Sequence, residues 1–104
     1  MGQPIAKPTR ENLDLQRVLI MEEYFEFRTA INHFTDQEAL KELADLVYVC
    51  FQYAVTAGWE LDEALDRVHE SNLSKLVDGK PLKNKEGKVL KGPNYKPPYL
   101  EDLI

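Results

Sequence analysis

The residues best equipped for chemistry are two acidic patches, Glu22-Glu23-x-x-Glu26 in LIMEEYFEFRTAI and Glu42-x-x-Asp45 in EALKELADLVYVCFQYAV. Residues three apart on a helix share a face, so Glu23 pairs with Glu26 and Glu42 with Asp45. A surface acid on a helix usually meets a Lys or Arg three or four residues further on. Here the residue four after Glu22 is Glu26, after Glu23 Phe27, after Glu26 Ala30, after Glu42 Leu46, and after Asp45 Val49. Lys41 precedes Asp45 by four, the less favourable orientation for a helical ion pair. Unpaired carboxylates among apolar side chains either stay protonated or need a counter-charge. A divalent cation supplies one. Oxygen-only ligands select a hard ion, Mg²⁺ or Mn²⁺, whereas zinc takes Cys and His at ligand spacing. One such pair alone reads as a solvated acidic stripe, but two pairs on successive apolar segments without cationic partners point to a single metal site.

The elements that carry these acids read as helices, because both segments are rich in Leu, Glu, Ala, Phe and Tyr, lack internal Gly or Pro, and exceed the length of a strand. At about 100° per residue, the Glu23/Glu26 face lies beside Leu15 and Leu19. Ile20, Tyr24, Phe27 and Ile31 flank it on one side, and Val18, Met21 and Phe25 on the other. From Leu43 to Ala57 the second helix is apolar nearly all round, interrupted by Asp45, Gln52 and Thr56, which predicts burial at the centre of a bundle or assembly. Asp45 is then expected in or beside a core.

In chain order, residues 1–9, with Pro4 and Pro8, read as an extended leader, and Thr9 or Asn12 offers an N-cap. The first helix is predicted over about 11–32, with a turn at His33-Phe34-Thr35. Thr35 and Glu38 then form a capping box for a second helix over about 36–56, which stops at Gly58. Trp59 is expected to pack across the helix ends, and His33 to lie in an exposed turn. Leu61, Ala64, Leu65, Val68, Leu73 and Leu76 mark the buried face of a third helix, capped by Asp62 and ending near Val77. Asn72 and Lys75 would project from one side of it, Lys75 serving the helix dipole if nothing else. Gly79, Glu86-Gly87 and Gly92-Pro93 punctuate a short hairpin whose better strand is Lys88–Lys91, and Pro93, Pro97 and Pro98 keep the last stretch extended. The expectation is a single all-α domain over 1–104: leader 1–9, a bundle of three main helices over 10–77, and a basic hairpin with a Pro-rich arm over 78–104.

A chain of 104 residues is too short to cover two helices this apolar by itself, so a homodimer or homotetramer is expected. Charge is uneven. Residues 1–70 hold six Lys/Arg against fourteen Asp/Glu, while residues 71–100 hold seven Lys against two acids. The two halves suit a metal site and a phosphate clamp. The net charge of −5 argues against binding a nucleic acid polymer, which needs a broad basic face. The single Cys50 lies in an apolar run and reads as a small core residue in a reducing cytoplasm. Neither a signal peptide nor a membrane span is predicted.

EExxE followed one helical hairpin later by ExxD resembles the signature of the all-α nucleoside triphosphate pyrophosphohydrolases. This is the MazG-like superfamily, which includes phosphoribosyl-ATP pyrophosphohydrolase and the dimeric dUTPases. Val68-His-Glu-Ser-Asn-Leu-Ser-Lys-Leu76, Asp78-Gly79 and Gly87-Lys-Val-Leu-Lys-Gly-Pro-Asn-Tyr95 resemble the third helix and tail of its small single-domain members, many of them bacterial or phage-borne. The resemblance implies Mg²⁺-dependent attack at the α-phosphate of an NTP or dNTP, giving the monophosphate and pyrophosphate. It implies Glu23, Glu26, Glu42 and Asp45 as metal ligands, and Glu22 as ligand of a further ion or as the group that orients and deprotonates water, Glu22 and Glu23 thus being the catalytic pair. Asn72 and Lys75, with Lys91 and Tyr95 from the arm, would bind phosphates. Phosphoribosyl-ATP is the alternative substrate. A helical interaction module is the reading of another class, and four unpaired acids argue against it.

Overall fold

The computed structural model describes residues 8–104; the first seven residues of the expected leader lie outside the described residues. Three helices, α1 (Arg10–His33), α2 (Asp36–Ala57) and α3 (Leu61–Leu73), precede a hairpin of β1 (Leu82–Lys83) and β2 (Val89–Leu90) and a single 3₁₀ turn over Glu101–Leu103. The fold is all-α with a minimal hairpin near the end, and no described helix is long and apolar enough to cross a membrane. The chain divides into two compact units that meet in sequence between Trp59 and Glu60.

The first unit is a helical hairpin whose ends are set by local chemistry. Thr9 caps α1, its Oγ1 accepting the Asn12 N–H at 3.1 Å, and Thr35 caps α2 by accepting the Glu38 N–H at 3.3 Å. Gly58 ends α2 at φ +79°, a left-handed conformation that glycine adopts without steric cost. Trp59 then folds back, its N–H donating to Ala54 O at 2.8 Å and its ring 5.6 Å from that of Tyr53.

Burial differs from the sequence expectation. Among the described residues of this unit Ala30, Val49 and Ala54 are the buried apolar ones, whereas Leu15, Val18, Met21 and Ile31 on α1, and Leu40, Leu43, Val47 and Tyr48 on α2, are exposed. A helix in a two-helix hairpin has one facing partner and buries one stripe. The residues at other angles are left largely open among the described residues of the unit.

The second unit is α3 and the chain that follows it. Its N-cap is Glu60, without a side-chain cap, and Asp62 sits inside the first turn, where its charge favours the positive end of the helix dipole. The helix ends at Leu73 rather than near Val77. Ser71 Oγ donates to Lys96 O at 2.7 Å, and Ser74 Oγ donates to Ser71 O at 2.6 Å while accepting the Lys96 N–H at 2.8 Å. Serine hydroxyls that bond backbone compete with helix continuation, and here they bind the arm to the last turn. Val77 instead pairs with Lys80 across Asp78 and Gly79, both at positive φ, as a tight antiparallel turn requires. The strands pair Leu82 with Leu90 and Lys83 with Val89. The chain end is pinned to the start of α3, since buried Leu103 accepts the Glu60 N–H at 2.9 Å through its carbonyl.

Candidate functional site

Glu23 and Glu26 lie on successive turns of α1, and Glu42 stands on α2. One carboxylate oxygen from each of the three lies within 4.8 Å of the other two. Burial makes the cluster costly: Oε2 of Glu23 and Oε2 of Glu42 are both buried and have no hydrogen-bond partner. A buried acceptor without a donor costs about 1–3 kcal/mol, more when charged. The Glu23 carboxyl is accordingly pushed above the ordinary glutamate range, first by burial, then by the charge and hydrogen bonding of Glu26, and further by the charges of Asp45 and Glu42. Three converging carboxylates, two of them with a buried oxygen that no described donor reaches, form a set for a hard cation, and the residues present fit one.

Asp45 and Glu22 stand differently. Asp45 is half-buried and close enough to weigh on Glu23, but its Oδ2 lies 2.7 Å from Lys41 Nζ, which also approaches Glu42 Oε1 at 3.4 Å. The expectation that these acids have no protein counter-charge is therefore corrected. The unfavourable sequence order does not stop a flexible lysine from reaching forward one turn to Asp45 and sideways to Glu42; the hydrogen bond to Asp45, then the charges of both acids, hold its ammonium above its ordinary pKa. Glu22 is exposed on the neighbouring face of α1, outside the converging group.

Glu26 and Glu42 also line a cavity of about 580 Å³ at the turn of the hairpin, together with Phe25, Thr29, Phe34 and Gln37. Phe25 and Thr29 further line a smaller polar groove of about 250 Å³ with Arg28, Asn32 and His33.

In the second unit the structure brings together three of the four residues expected to meet phosphate. Gly92 packs so closely on the turn after α3 that an added Cβ would stand 2.7 Å from Lys75 O and 2.8 Å from Val77 Cγ2, and its N–H donates to Lys75 O at 3.1 Å. That approach delivers Lys91 and Tyr95 to Lys75. The two ammonium nitrogens lie 4.8 Å (Lys91) and 5.9 Å (Lys75) from the Tyr95 ring centroid, within cation–π range. Asn72 stays exposed on the last turn of α3, and Lys75 lies past the helix end, so the two do not share a helical face.

Arg67 is a centre that sequence reasoning passed over. Its guanidinium grips Asp102 through two bonds of 2.6 and 3.0 Å, donates to Tyr99 O at 3.0 Å, and reaches Glu63 Oε1 at 3.1 Å. The pairing holds the Asp102 carboxyl below the ordinary range, mainly through hydrogen bonds from Arg67. Glu63, four residues before Arg67 in the favourable order, was the local signal available.

No curated protein matches the chain. The family model described as phosphoribosyl-ATP pyrophosphohydrolase matches residues 3–72, a span that holds all five acids and ends at Asn72, before Lys75, Lys91 and Tyr95. With the match covering well over half of the sequence and the acidic cluster inside it, the chain belongs to the phosphoribosyl-ATP pyrophosphohydrolase family, within the MazG-like all-α pyrophosphohydrolase superfamily.

Proposed function

We propose that the protein is a metal-dependent nucleoside triphosphate pyrophosphohydrolase that converts an NTP or dNTP to the monophosphate and pyrophosphate. The observation that carries this reading is the convergence of Glu23, Glu26 and Glu42 within 4.8 Å, with two of their oxygens buried and unpartnered. These three would hold Mg²⁺, with Mn²⁺ able to replace it, and Asp45 would join them once Lys41 lets go. Bound there, the ion would link carboxylates to phosphates, lower the pKa of water and stabilise a pyrophosphate leaving group. Attack at the α-phosphorus forms a bond from water oxygen and breaks the bond to the bridging oxygen. The proton of that water passes to a carboxylate. Glu22, exposed on the neighbouring face of α1, would be the acceptor, with Glu23 next to it in the chain as the other candidate. Lys75 and Lys91, gathered by Tyr95, offer phosphate oxygens two cationic partners, with Asn72 on the preceding turn.

The exposed apolar stripes of α1 and α2 support assembly into a homodimer or homotetramer, since they leave large side chains such as Leu15 and Ile31 on α1 and Leu40 and Val47 on α2 in water. Light scattering at micromolar concentration should return at least twice the chain mass of 12.0 kDa. A monomer overturns this part of the proposal.

Phosphoribosyl-ATP is the second reading, favoured by the family's own description and by Arg28 and His33 in the polar groove next to the cavity, where a second phosphate would find the Arg28 guanidinium and the His33 ring as hydrogen-bond partners. One assay separates the two. The protein is incubated with Mg²⁺ and each of the eight common nucleoside triphosphates, and with phosphoribosyl-ATP, and the products are resolved. Monophosphate and pyrophosphate from a triphosphate support the first reading, and turnover of phosphoribosyl-ATP alone supports the second. A nucleoside diphosphate as first product overturns both.

A further inference from the structure

The arm after the hairpin is tied along α3 at three places. Its end is held by the Glu60 N–H, which donates to Leu103 O at 2.9 Å, and its middle by Arg67, which donates to Tyr99 O at 3.0 Å and to Asp102 at 2.6 and 3.0 Å. Its start is held by two serines: Ser71 Oγ donates to Lys96 O at 2.7 Å, and Ser74 Oγ accepts the Lys96 N–H at 2.8 Å. We infer that Ser71 and Ser74 are positioning residues for phosphate binding: by fixing the backbone of Lys96 they hold the adjoining Tyr95 ring in the place where it gathers the ammonium groups of Lys75 and Lys91. The inference rests on the phosphate role proposed above for those two lysines and adds the groups that set their place.

The ring cannot hold the lysines unless something holds the ring. Cation–π contacts at exposed sites are weak, and here two like charges lie 4.8 and 5.9 Å from one centroid and repel each other. Long lysine side chains also lose rotamer freedom when they are gathered. A ring free to swing with its backbone would give up both contacts. Tyr95 is half-buried, and its backbone is fixed from both sides. On one side its own N–H donates to Gly92 O at 3.2 Å, and the Gly92 N–H donates to Lys75 O at 3.1 Å. On the other stands Lys96, with both of its polar backbone atoms bonded by serine hydroxyls. Because a peptide unit is planar, the bond from the Lys96 N–H orients the whole link between Tyr95 and Lys96, and the bond to Lys96 O orients the link to Pro97. Pro97 in turn disfavours helical backbone at Lys96.

The two serines do more than stop the helix. A helix end is commonly closed by one local residue, such as a glycine, whereas Ser71 and Ser74 stand one turn apart and converge on a single residue more than twenty positions on. Ser71 is 6% exposed, so its hydroxyl would be costly to bury without the Lys96 carbonyl. Ser74 Oγ donates its proton to Ser71 O at 2.6 Å, which leaves a lone pair for the Lys96 N–H. Ser74 also precedes Lys75 in the chain, so the turn that carries one of the phosphate lysines places the ring for both.

The test uses the full chain with Mg²⁺ and titrates tripolyphosphate by calorimetry. Ser74→Ala should weaken its binding about fivefold, the scale of one side-chain hydrogen bond, and should raise KM for a triphosphate by a similar factor with kcat unchanged. Ser71→Ala should act in the same direction, and Ser74→Thr, which keeps the hydroxyl, should bind as wild type does. Ser74→Cys, a weaker acceptor of the same shape, is the milder variant should Ser74→Ala not fold, and should lie between Ser74→Ala and wild type. Asp102→Asn, which loosens the far end of the same arm, should change neither binding nor KM. In a Tyr95→Leu background Ser74→Ala should cost nothing further, because the serine acts through the ring. By NMR, the methylene protons of Lys75 and Lys91 that the Tyr95 ring shifts upfield in wild type should return toward ordinary positions in Ser74→Ala and stay shifted in Asp102→Asn. Ring-shifted lysine signals retained in Ser74→Ala overturn the inference. So do additive losses of Ser74→Ala and Tyr95→Leu, and equal losses in Ser74→Ala and Asp102→Asn, which mark a general loosening of the arm. Wild-type protein that binds no tripolyphosphate, or binds it no less after Lys75→Ala and Lys91→Ala, overturns the phosphate reading and the inference with it; the ring-shifted signals, read without any phosphate, tell that failure from a failure of the positioning.

Discussion

The two units treat their charges in opposite ways. In the second, Arg67 is saturated by Glu63, Asp102 and the Tyr99 carbonyl, the serine hydroxyls at the end of α3 are spent on Lys96, and eight Lys/Arg stand against nine Asp/Glu over residues 60–104. In the first, five Lys/Arg face nine Asp/Glu over residues 1–59, two glutamate oxygens are buried without donors, and large apolar side chains stand in water on both helices. A segment that satisfies its own polar groups is explained by folding alone. One that leaves buried carboxylate oxygens without donors is paying for something that arrives later, and the acids of α1 and α2 are where function is to be sought.

The largest effect expected from this contrast is on activity. Glu23→Gln keeps the shape of the side chain and removes the charge that a cation needs, so pyrophosphate release in Mg²⁺ should fall about a thousandfold, the several kcal/mol a metal centre supplies. EDTA should produce the same loss in wild type. On stability the sign reverses. The Glu23 carboxyl holds its proton above the ordinary glutamate range, so in EDTA its ionisation opposes the fold: stability is full below the unfolded-state pKa and is lost as pH rises through the folded one. Thermal melts in EDTA should show wild type falling relative to Glu23→Gln between about pH 4 and neutrality. Added Mg²⁺ should raise the wild-type melting temperature through binding to the native state. A Glu23→Gln protein that melts lower than wild type in EDTA at neutral pH contradicts the assignment of that carboxylate as a metal-awaiting group.

The second unit should break by packing instead. Gly92→Ala places a methyl group 2.7 Å from Lys75 O, a backbone atom that cannot swing aside, and overpacking of this kind costs about 1–3 kcal/mol. The loss should appear as faster amide exchange over residues 75–95, with the Mg²⁺-induced rise in melting temperature retained. If Gly92→Ala abolishes the response to Mg²⁺, the contrast between the units does not hold.

What was legible in the sequence follows the range of the interaction. Thr9, Thr35 and Gly58 bound their helices through contacts within four residues, and the three-residue spacing of Glu23 and Glu26 decides their shared face, so both could be read directly. The end of α3 could not. Ser71 and Ser74 end it by binding Lys96, more than twenty residues on, and no local pattern announces such a partner. The latch of Arg67 on Asp102 spans 35 positions and was hidden for the same reason. Apolar periodicity in α1 and α2 marked which residues want burial, while the facing surface that would bury Leu40 or Val47 is not encoded within the hairpin. Lys41 was discounted because helical ion-pair rules rank the order Glu before Lys, yet they describe isolated helices and not a lysine with an acid on each side.

A smaller effect concerns the arm. Arg67 holds the Asp102 carboxyl below its ordinary range, so the pair contributes stability above the ordinary carboxylate pKa and loses it as pH falls through the lowered one. Asp102→Asn should therefore raise the rate of limited proteolysis in the last residues several-fold at neutral pH and leave it unchanged in strong acid. Pyrophosphate release in Mg²⁺ is the control, because the partners of Asp102 lie in the second unit.

The smallest effect belongs to Lys41, and it tests the contrast at its weakest point, since this lysine is the described cationic partner of Glu42 and Asp45. Its ammonium sits 2.7 Å from Asp45 and 3.4 Å from Glu42. A tethered cation and a free one compete for the same carboxylates. Lys41→Ala removes the competitor and leaves the metal-free acids repelling one another, so the mutant should melt below wild type in EDTA and bind Mg²⁺ about two- to threefold more tightly by calorimetry. The gain is small because an exposed ion pair is screened by water. Lys41→Arg should retain the competition and titrate as wild type does. Weaker Mg²⁺ binding in Lys41→Ala would mean that the lysine helps to build the metal site, and the first unit would then satisfy its own charges as the second does.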